Sequence, residues 1–390
     1  MKGGFRSLNE ILSFRGGGTP RKDVPEYWSD EIPWASVKDF KSLDLAKTQD
    51  SISRKGLEAS ASNLIPAGHV IIPTRMALGK AAINSIDMAI NQDLRALIPK
   101  VPLDSRYLLH SMIGLADEII RYGSGATVKG ITQENLGKLQ IPLPPLAEQK
   151  RIAAILDAAD ALRAKRRETL AQLDALLQST FLTLFGGPVT NPMGWPVRNL
   201  TSVIGDSFRN GLSPSTRGKV AGRVLTLSAI TSGEFAPQFL KDAIFDRSPS
   251  ENQQVTRNTF LICRGNGNKS MVGIGVFPLA DMPSVSFPDT MIACTIDRSQ
   301  VEPEYLQSTW STAKVRKQID AGARTTNGTY KVNQALLGSI EFPLPPLDVQ
   351  QKFAAIVESI ERQKTAQRGH LAELEALFAA LQHRAFRGEL

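Results

Sequence analysis

One proline motif in this chain is written twice. Ile141-Pro142-Leu143-Pro144-Pro145-Leu146 returns as Phe342-Pro343-Leu344-Pro345-Pro346-Leu347, and the same offset brings Gln149 onto Gln350 and Arg151 onto Lys352. Further along, Ala153-Ala154-Ile155 meets Ala354-Ala355-Ile356, Leu173 meets Leu374, and Phe185 meets Phe386. A register kept through a proline motif and the long run behind it means internal duplication. The chain must therefore fold as two halves of similar plan, an arrangement suited to holding two things at a set separation.

Behind each motif lies a helical signal. From Ala147 to about Phe185, residues three and four apart read Ile152, Ile155, Ala159, Leu162, Arg166, Thr169, Leu173, Leu176, Thr180. The second copy reads Phe353, Ile356, Ile360, Gln363, Gln367, His370, Leu374, Leu377, Leu381. Both are seams of coiled-coil type. No Gly or Pro interrupts the first, and only Gly369 interrupts the second. Each helix is expected to run about 40 residues, roughly 60 Å. Both seams turn polar in the middle, at Arg166/Thr169 and at Gln367/His370. Periodicity matches parallel and antiparallel pairing equally. A pseudo-two-fold relation between the halves selects the antiparallel one and puts the lobes at opposite ends.

The remaining segments read as mixed α/β lobes. Val70-Ile71-Ile72, Thr259-Phe260-Leu261-Ile262 and Met291-Ile292-Ala293-Cys294 are strand-like runs between Gly and Pro, while Tyr107–Arg121 and Pro303–Asp320 look helical. The expected architecture is α/β (α+β): lobes over 1–145 and 188–345, helices over 146–187 and 346–390, the helices forming an antiparallel coiled coil. The lobes echo each other weakly. Phe5-Arg6-Ser7-Leu8 answers Pro196-Val197-Arg198-Asn199-Leu200, and Arg75 followed by Gly79 answers Arg264 followed by Gly273, with Gly265 to Ser270 inserted.

Composition narrows the function classes. A length of 390 residues suits two to three domains. Cys263 and Cys294 are the only cysteines, so a disulfide framework is not expected and a reducing cytosol is. No apolar run approaches the roughly 20 residues of a membrane helix. The net charge is +8, and its excess falls in 1–140 and 188–341 rather than in the helices. Basic lobes suit a polyanion such as nucleic acid.

Catalytic signatures are missing. Gly79-Lys80 lacks the glycine and hydroxyl of a phosphate loop, and neither Gly123-Ser124-Gly125 nor Gly265-Asn266-Gly267 completes a dinucleotide fingerprint. His69, His110, His370 and His383 have no metal spacing, and no nucleophile elbow occurs. Nor is there the Asn- or Asp-Pro-Pro-aromatic segment that adenine methyltransferases use. Three readings stay open on the residues: a non-enzymatic DNA-address module, a coiled-coil scaffold whose lobes bind proteins, and an enzyme.

Gly17-Gly18-Thr19-Pro20, Tyr27-Trp28, Ile32-Pro33-Trp34 and Val37-Lys38-Asp39 resemble the opening of a target recognition domain, and Thr127-Val128-Lys129-Gly130-Ile131 resembles its close. With the proline motifs and helices, nearly the whole chain resembles the DNA-specificity subunit of a Type I restriction–modification system. The second lobe departs from the pattern, with Asn210-Gly211-Leu212-Ser213-Pro214 at its opening and Thr325-Thr326-Asn327-Gly328-Thr329 at its close. The resemblance implies a subunit with no catalysis and no cofactor of its own. Each lobe would read one half of a bipartite site in double-stranded DNA, and the helix pair would fix the gap. The helices would also dock two modification subunits, which bind S-adenosylmethionine and methylate adenine N6. Restriction subunits would add ATP- and Mg-dependent translocation and cleavage.

Phosphate contacts position such a protein, and side chains on base edges specify the sequence. In the first lobe the expected contacts are Arg75, Lys80, Arg121 and Lys129. In the second they are Arg209, Arg217, Arg264, Asn266, Lys269, Arg324 and Lys331. Arg163, Lys165, Arg166 and Arg167 read as a wet helix face or a partner contact.

Overall fold

The computed structural model describes residues 4–125, 128–326, 328–387 and 389–390; Thr127 and Asn327 of the two closing motifs lie outside them. The chain divides into two compact units, one of Met1–Glu168 with Arg368–Leu390 and one of Thr169–Gln367. The division falls inside both long helices, Leu146–Phe185 and Leu347–Ala385. Their lengths of 40 and 39 residues match the sequence expectation.

In the first unit a five-stranded sheet runs in the order Leu12–Gly16, Leu94–Pro99, Val70–Pro73, Ala82–Asn84, Asp44–Leu45. A second sheet of four strands runs Asp50–Ile52, Ile32–Ala35, Met88–Ile90, Leu64–Ile65, with its central pair parallel. The second unit repeats the plan. Arg209–Asn210, Met291–Thr295, Thr259–Cys263 and Gly275–Val276 make one sheet. Leu240–Phe245, Val220–Leu225, Met282–Ser286 and Gln254–Val255 make the other, again with a parallel central pair. The apolar runs singled out in the sequence are strands because both of their faces are covered: Val70 to Pro73 and Thr259 to Cys263 are buried at every position.

The second lobe's divergent opening does the same work as the first. A Cβ on Gly17 would lie 1.9 Å from the Ile90 carbonyl oxygen, and one on Gly211 would lie 2.1 Å from that of Phe287. The next residue then donates its N–H to the same carbonyl, Gly18 to Ile90 and Leu212 to Phe287. Only glycine fits where two backbones cross this closely.

Each expected lobe helix is two. Ser105–Gly114 is followed by Ala116–Arg121, and Pro303–Trp310 by Ala313–Gly322. Asp104 caps the first by accepting from the Tyr107 N–H.

Within each unit the long helices run antiparallel. In the first unit Arg163 lies over the Phe378 ring and Arg167 pairs with Glu375 at 2.7 Å, so one number falls as the other rises. In the second, Asp174 meets Lys364 at 2.9 Å and Phe181 packs edge-on to Phe353. The seam itself differs from the expected one. Leu162 is 52% and Leu176 50% exposed, and Ile356, Gln363, His370 and Leu377 also face outward. The inward positions are Leu156, Ala159, Phe181 and Phe185 on the first helix and Phe353, Ile360, Lys364 and Phe378 on the second. The cause is that each helix must serve a lobe as well as its partner helix. Ile152 and Leu156 join Tyr107 in one core cluster, and Phe181 and Phe185 join Tyr305 in another.

Candidate nucleic-acid interface

Each lobe is locked to its proline motif and helix by one repeated device. Tyr107 donates its hydroxyl to the Pro142 carbonyl at 2.7 Å, and Tyr305 does so to Pro343 at 2.5 Å. Burial pushes both phenols far above their usual range and so keeps them as neutral donors. The buried Gln149 carbonyl accepts from the Asp104 N–H, while its amide donates to the carbonyls of Pro144 and Pro102. Gln350 does the same between the Glu302 N–H and the carbonyls of Pro345 and Gln300. The matched phenylalanines also have matched roles: Phe386 packs on Tyr107 and Phe185 on Tyr305.

Ahead of each proline motif stands a small ladder of three chain segments. In the second unit it is a sheet of Gly265–Asn266, Thr329–Lys331 and Arg324–Thr326. Lys331 lies in register with both Gly265 and Arg324, and the Val332 N–H donates to the Arg264 carbonyl. In the first unit it shrinks to bridges from Gly130 to Arg75 and to Ser124, and the Ile131 N–H donates to the Thr74 carbonyl. These bonds superpose Thr74 on Arg264 and Arg75 on Gly265. The sequence pairing of Arg75 with Arg264 is therefore off by one residue, because the insertion after Gly265 hides the register.

The correct register exposes an exchange. In the first unit a Cβ on Gly130 would lie 3.2 Å from the Arg75 Cγ; in the second a Cβ on Gly265 would lie 3.2 Å from the Lys331 Cγ. Each ladder thus sets one cation across a glycine, but the two units put them on opposite strands. The bare glycine lets the cation's stem lie flat and carry its charge outward.

The ladders gather some of the expected contacts and leave others apart. Arg75 and Lys129 stand on the first ladder, exposed, with Arg121 exposed at the helix end just before it. Arg75 reaches Asp93 at 3.7 Å and Arg121 reaches Glu118 at 3.4 Å. Lys80 lies off the ladder and donates to the Phe40 carbonyl at 3.3 Å. On the second ladder are Arg264, Asn266, Arg324 and Lys331, and the exposed Lys269 occupies the loop that leaves it. Arg264 donates to the Asp289 carbonyl. Arg316, which sequence reasoning passed over, holds that loop by donating to the Val272 carbonyl at 2.6 Å. Arg217 sits exposed in a turn before the strand Val220–Leu225, in the other sheet. Arg209 is only 12% exposed, and its guanidinium is committed to Asp206, the Asn252 carbonyl and the Thr295 hydroxyl. It ties its strand into the sheet and presents no free face.

Burial pushes the Cys263 thiol up to about 11 and the Cys294 thiol higher, so both are inert side chains of the sheet. Among the described residues no group of three His, Cys, Asp or Glu is placed to hold a metal ion, and no helix is long and apolar enough to cross a membrane.

Residues 4–173 match the family model described as the Type I restriction modification DNA specificity domain. A Type I restriction enzyme specificity subunit of Escherichia coli is 32% identical over 184 residues, 45% of this chain and 46% of that protein. The MjaIX specificity subunit of Methanocaldococcus jannaschii is 25% identical over 243 residues, 60% of this chain and 53% of the relative. The StySPI specificity subunit of Salmonella potsdam is 22% identical over 376 residues, 90% of this chain and 80% of the relative. The chain spans about half the length of the first two of these relatives. A solved S subunit of a Type I restriction-modification system from M. genitalium shares the fold, with a TM-score of 0.58 at 14% identity over 98% of this chain and 96% of that one. A chain from a structure on complex assembly and conformational transition of the type I R-M system gives 0.57 at 17% identity, covering 99% and 98%. Residues 4–173 are thus similar to the Type I restriction modification DNA specificity domain, and the chain as a whole is similar in sequence to Type I specificity subunits and shares the fold of a solved one.

Proposed function

We propose that this chain is the non-catalytic DNA-addressing subunit of a Type I restriction–modification complex. Residues 1–145 read one half of a bipartite site, residues 188–345 read the other, and the helical segments 146–187 and 346–390 fix the unread gap. The observation that carries this reading is the cation-over-glycine ladder built once in each unit. A repeated fold with a repeated basic ladder suits a split polyanion target better than a single protein partner.

On this reading Arg75, Lys129 and Arg121 serve the first half-site, and Arg264, Asn266, Lys269, Arg324 and Lys331 the second. Lys80 and Arg217 contribute phosphate contacts at the flanks, and Arg209 supports from within. The outward-facing Leu162 and Leu377 in one unit, and Leu176 and Ile356 in the other, give each unit an apolar helix face on which one modification subunit docks. The modification subunits bring S-adenosylmethionine and adenine N6 methylation, and restriction subunits bring ATP and Mg.

The test is to map N6-methyladenine across host DNA with and without this chain. A single split motif, methylated on both strands and lost on deletion, is the expected result. Methylation indifferent to the deletion would overturn the reading and favour a protein-binding scaffold.

A further inference from the structure

Met76 follows Arg75 on the first ladder, and its backbone is strained. Its φ is +67°, one of three non-glycine residues in the left-handed region among those described. The Ala77 N–H donates back to the Arg75 carbonyl at 2.8 Å, which makes Met76 the centre of a three-residue turn. Its own N–H donates to the Lys129 carbonyl at 3.3 Å, so the turn is pinned to the ladder. Turns of this kind with positive φ are rare, and a long side chain at the centre is disfavoured against glycine or asparagine.

The side chain gives nothing back to the fold. It is 71% exposed and belongs to no core cluster. Glycine would relieve the strain with no loss of packing, so the thioether stands where it does for something outside the chain. The corrected register adds a second observation. With Arg75 on Gly265, Met76 falls on Asn266, which pairs with Tyr330 on the second ladder. Each ladder therefore follows its glycine or cation with a residue of different chemistry: an exposed thioether in the first unit, and in the second a half-buried amide whose Oδ1 accepts the Asn268 N–H.

We propose that Met76 reads one base of the first half-site by apolar contact with the C5-methyl group of a thymine, beside the Arg75 contact. The inference rests on the DNA-addressing function above. A soft, unbranched thioether matches a methyl group in the major groove, where that methyl distinguishes thymine from the other bases. The counterpart Asn266 offers an amide, suited to an adenine edge.

The experiment uses the chain assembled with its modification subunits and duplexes carrying the mapped site. Thymines of the first half-site are replaced one at a time by uracil, which lacks only the methyl. The wild-type complex should lose roughly threefold to tenfold in affinity at one such position. Met76→Ala should bind the parent duplex weaker by a similar factor and be indifferent to that uracil, and Met76→Leu should restore both. Met76→Gly, which relieves the turn, should behave like Met76→Ala while melting no lower than wild type. The assignment is overturned if Met76→Ala binds as wild type, if it is weakened but keeps the uracil response, or if the half-site holds no thymine. A wild-type complex that binds a scrambled duplex equally well would instead sink the DNA-addressing function, and this assignment with it.

Discussion

The Gln149 carbonyl accepts the backbone N–H of Asp104 at 2.9 Å, tying the first turn of the long helix to the residue that caps the lobe helix. Gln149 is buried and satisfied on both ends of its amide. Gln149→Ala leaves the Asp104 N–H and the Pro144 carbonyl without partners, which should cost about 1–3 kcal/mol in urea unfolding of the chain. Gln149→Glu should be no better, since a carboxylate cannot donate to the Pro144 and Pro102 carbonyls. Either variant unfolding at the wild-type midpoint would remove the clamp from the account.

Lys364 is 3% exposed on the helix pair, with carboxylates of Glu361 at 2.7 Å, Asp174 at 2.9 Å and Glu234 at 3.5 Å. Burial alone would lower its pKa, but the hydrogen bonds its ammonium donates to Asp174 and Glu361 and the charge of Glu234 outweigh it and raise it. A lysine with a raised folded pKa contributes stability that is complete below its ordinary value of 10.5 and fades as pH climbs through the folded value. Lys364→Met should cost about 1–2 kcal/mol at pH 7, and the gap to wild type should narrow as pH rises past 10.5. Arg167→Ala, at an exposed pair with Glu375, should cost no more than about 0.5 kcal/mol. Equal costs for the two would contradict the burial argument.

Glu304 is the opposite case. One of its carboxylate oxygens is buried with no hydrogen-bond partner, and burial first, then the charges of Glu302 and Glu358, raises its pKa. The charged form is therefore disfavoured in the fold, and the penalty disappears as pH falls and the carboxyl protonates. Glu304→Gln should stabilise the chain at pH 7 by roughly half a kcal/mol after screening is discounted. The advantage should vanish near pH 4. Thermal melts at both values check the sign, and a variant less stable at pH 7 would refute it.

The ladders predict paired effects. Arg75→Ala should weaken or relax one base position in one half-site, and Lys331→Ala should do so in the other, each by about 1–3 kcal/mol if the contact is to a base. If the contact is to phosphate, the loss should be uniform across sequences and shrink with added salt. Methylation mapping and binding at two salt concentrations separate these outcomes. A change in the same half-site from both substitutions would break the equivalence drawn from Gly130 and Gly265.

The helices and proline motifs were legible because duplication and period both act over long stretches, and even Gln149/Gln350 and Phe185/Phe386 appeared as matched pairs. The seam was legible only to within one position. Leu162 and Leu176 fit a heptad, but a long helix that also feeds a lobe core turns a different face inward. Lys364 was invisible because its burial depends on Glu234, far away in sequence. In the lobes, strands showed as apolar runs, while the pairing of Arg75 with Gly265 did not, since ladder register is set by backbone hydrogen bonds across an insertion. Arg209 looked like any basic residue near a turn; only its three partners reveal a structural role.

The most direct measurement replaces residues 1–140 with the corresponding region of a relative and maps N6-methyladenine in cells carrying the hybrid. The account predicts a new sequence in one half of the split site, with the other half and the gap unchanged. A change in both halves, or in neither, would contradict the division of reading between the two lobes.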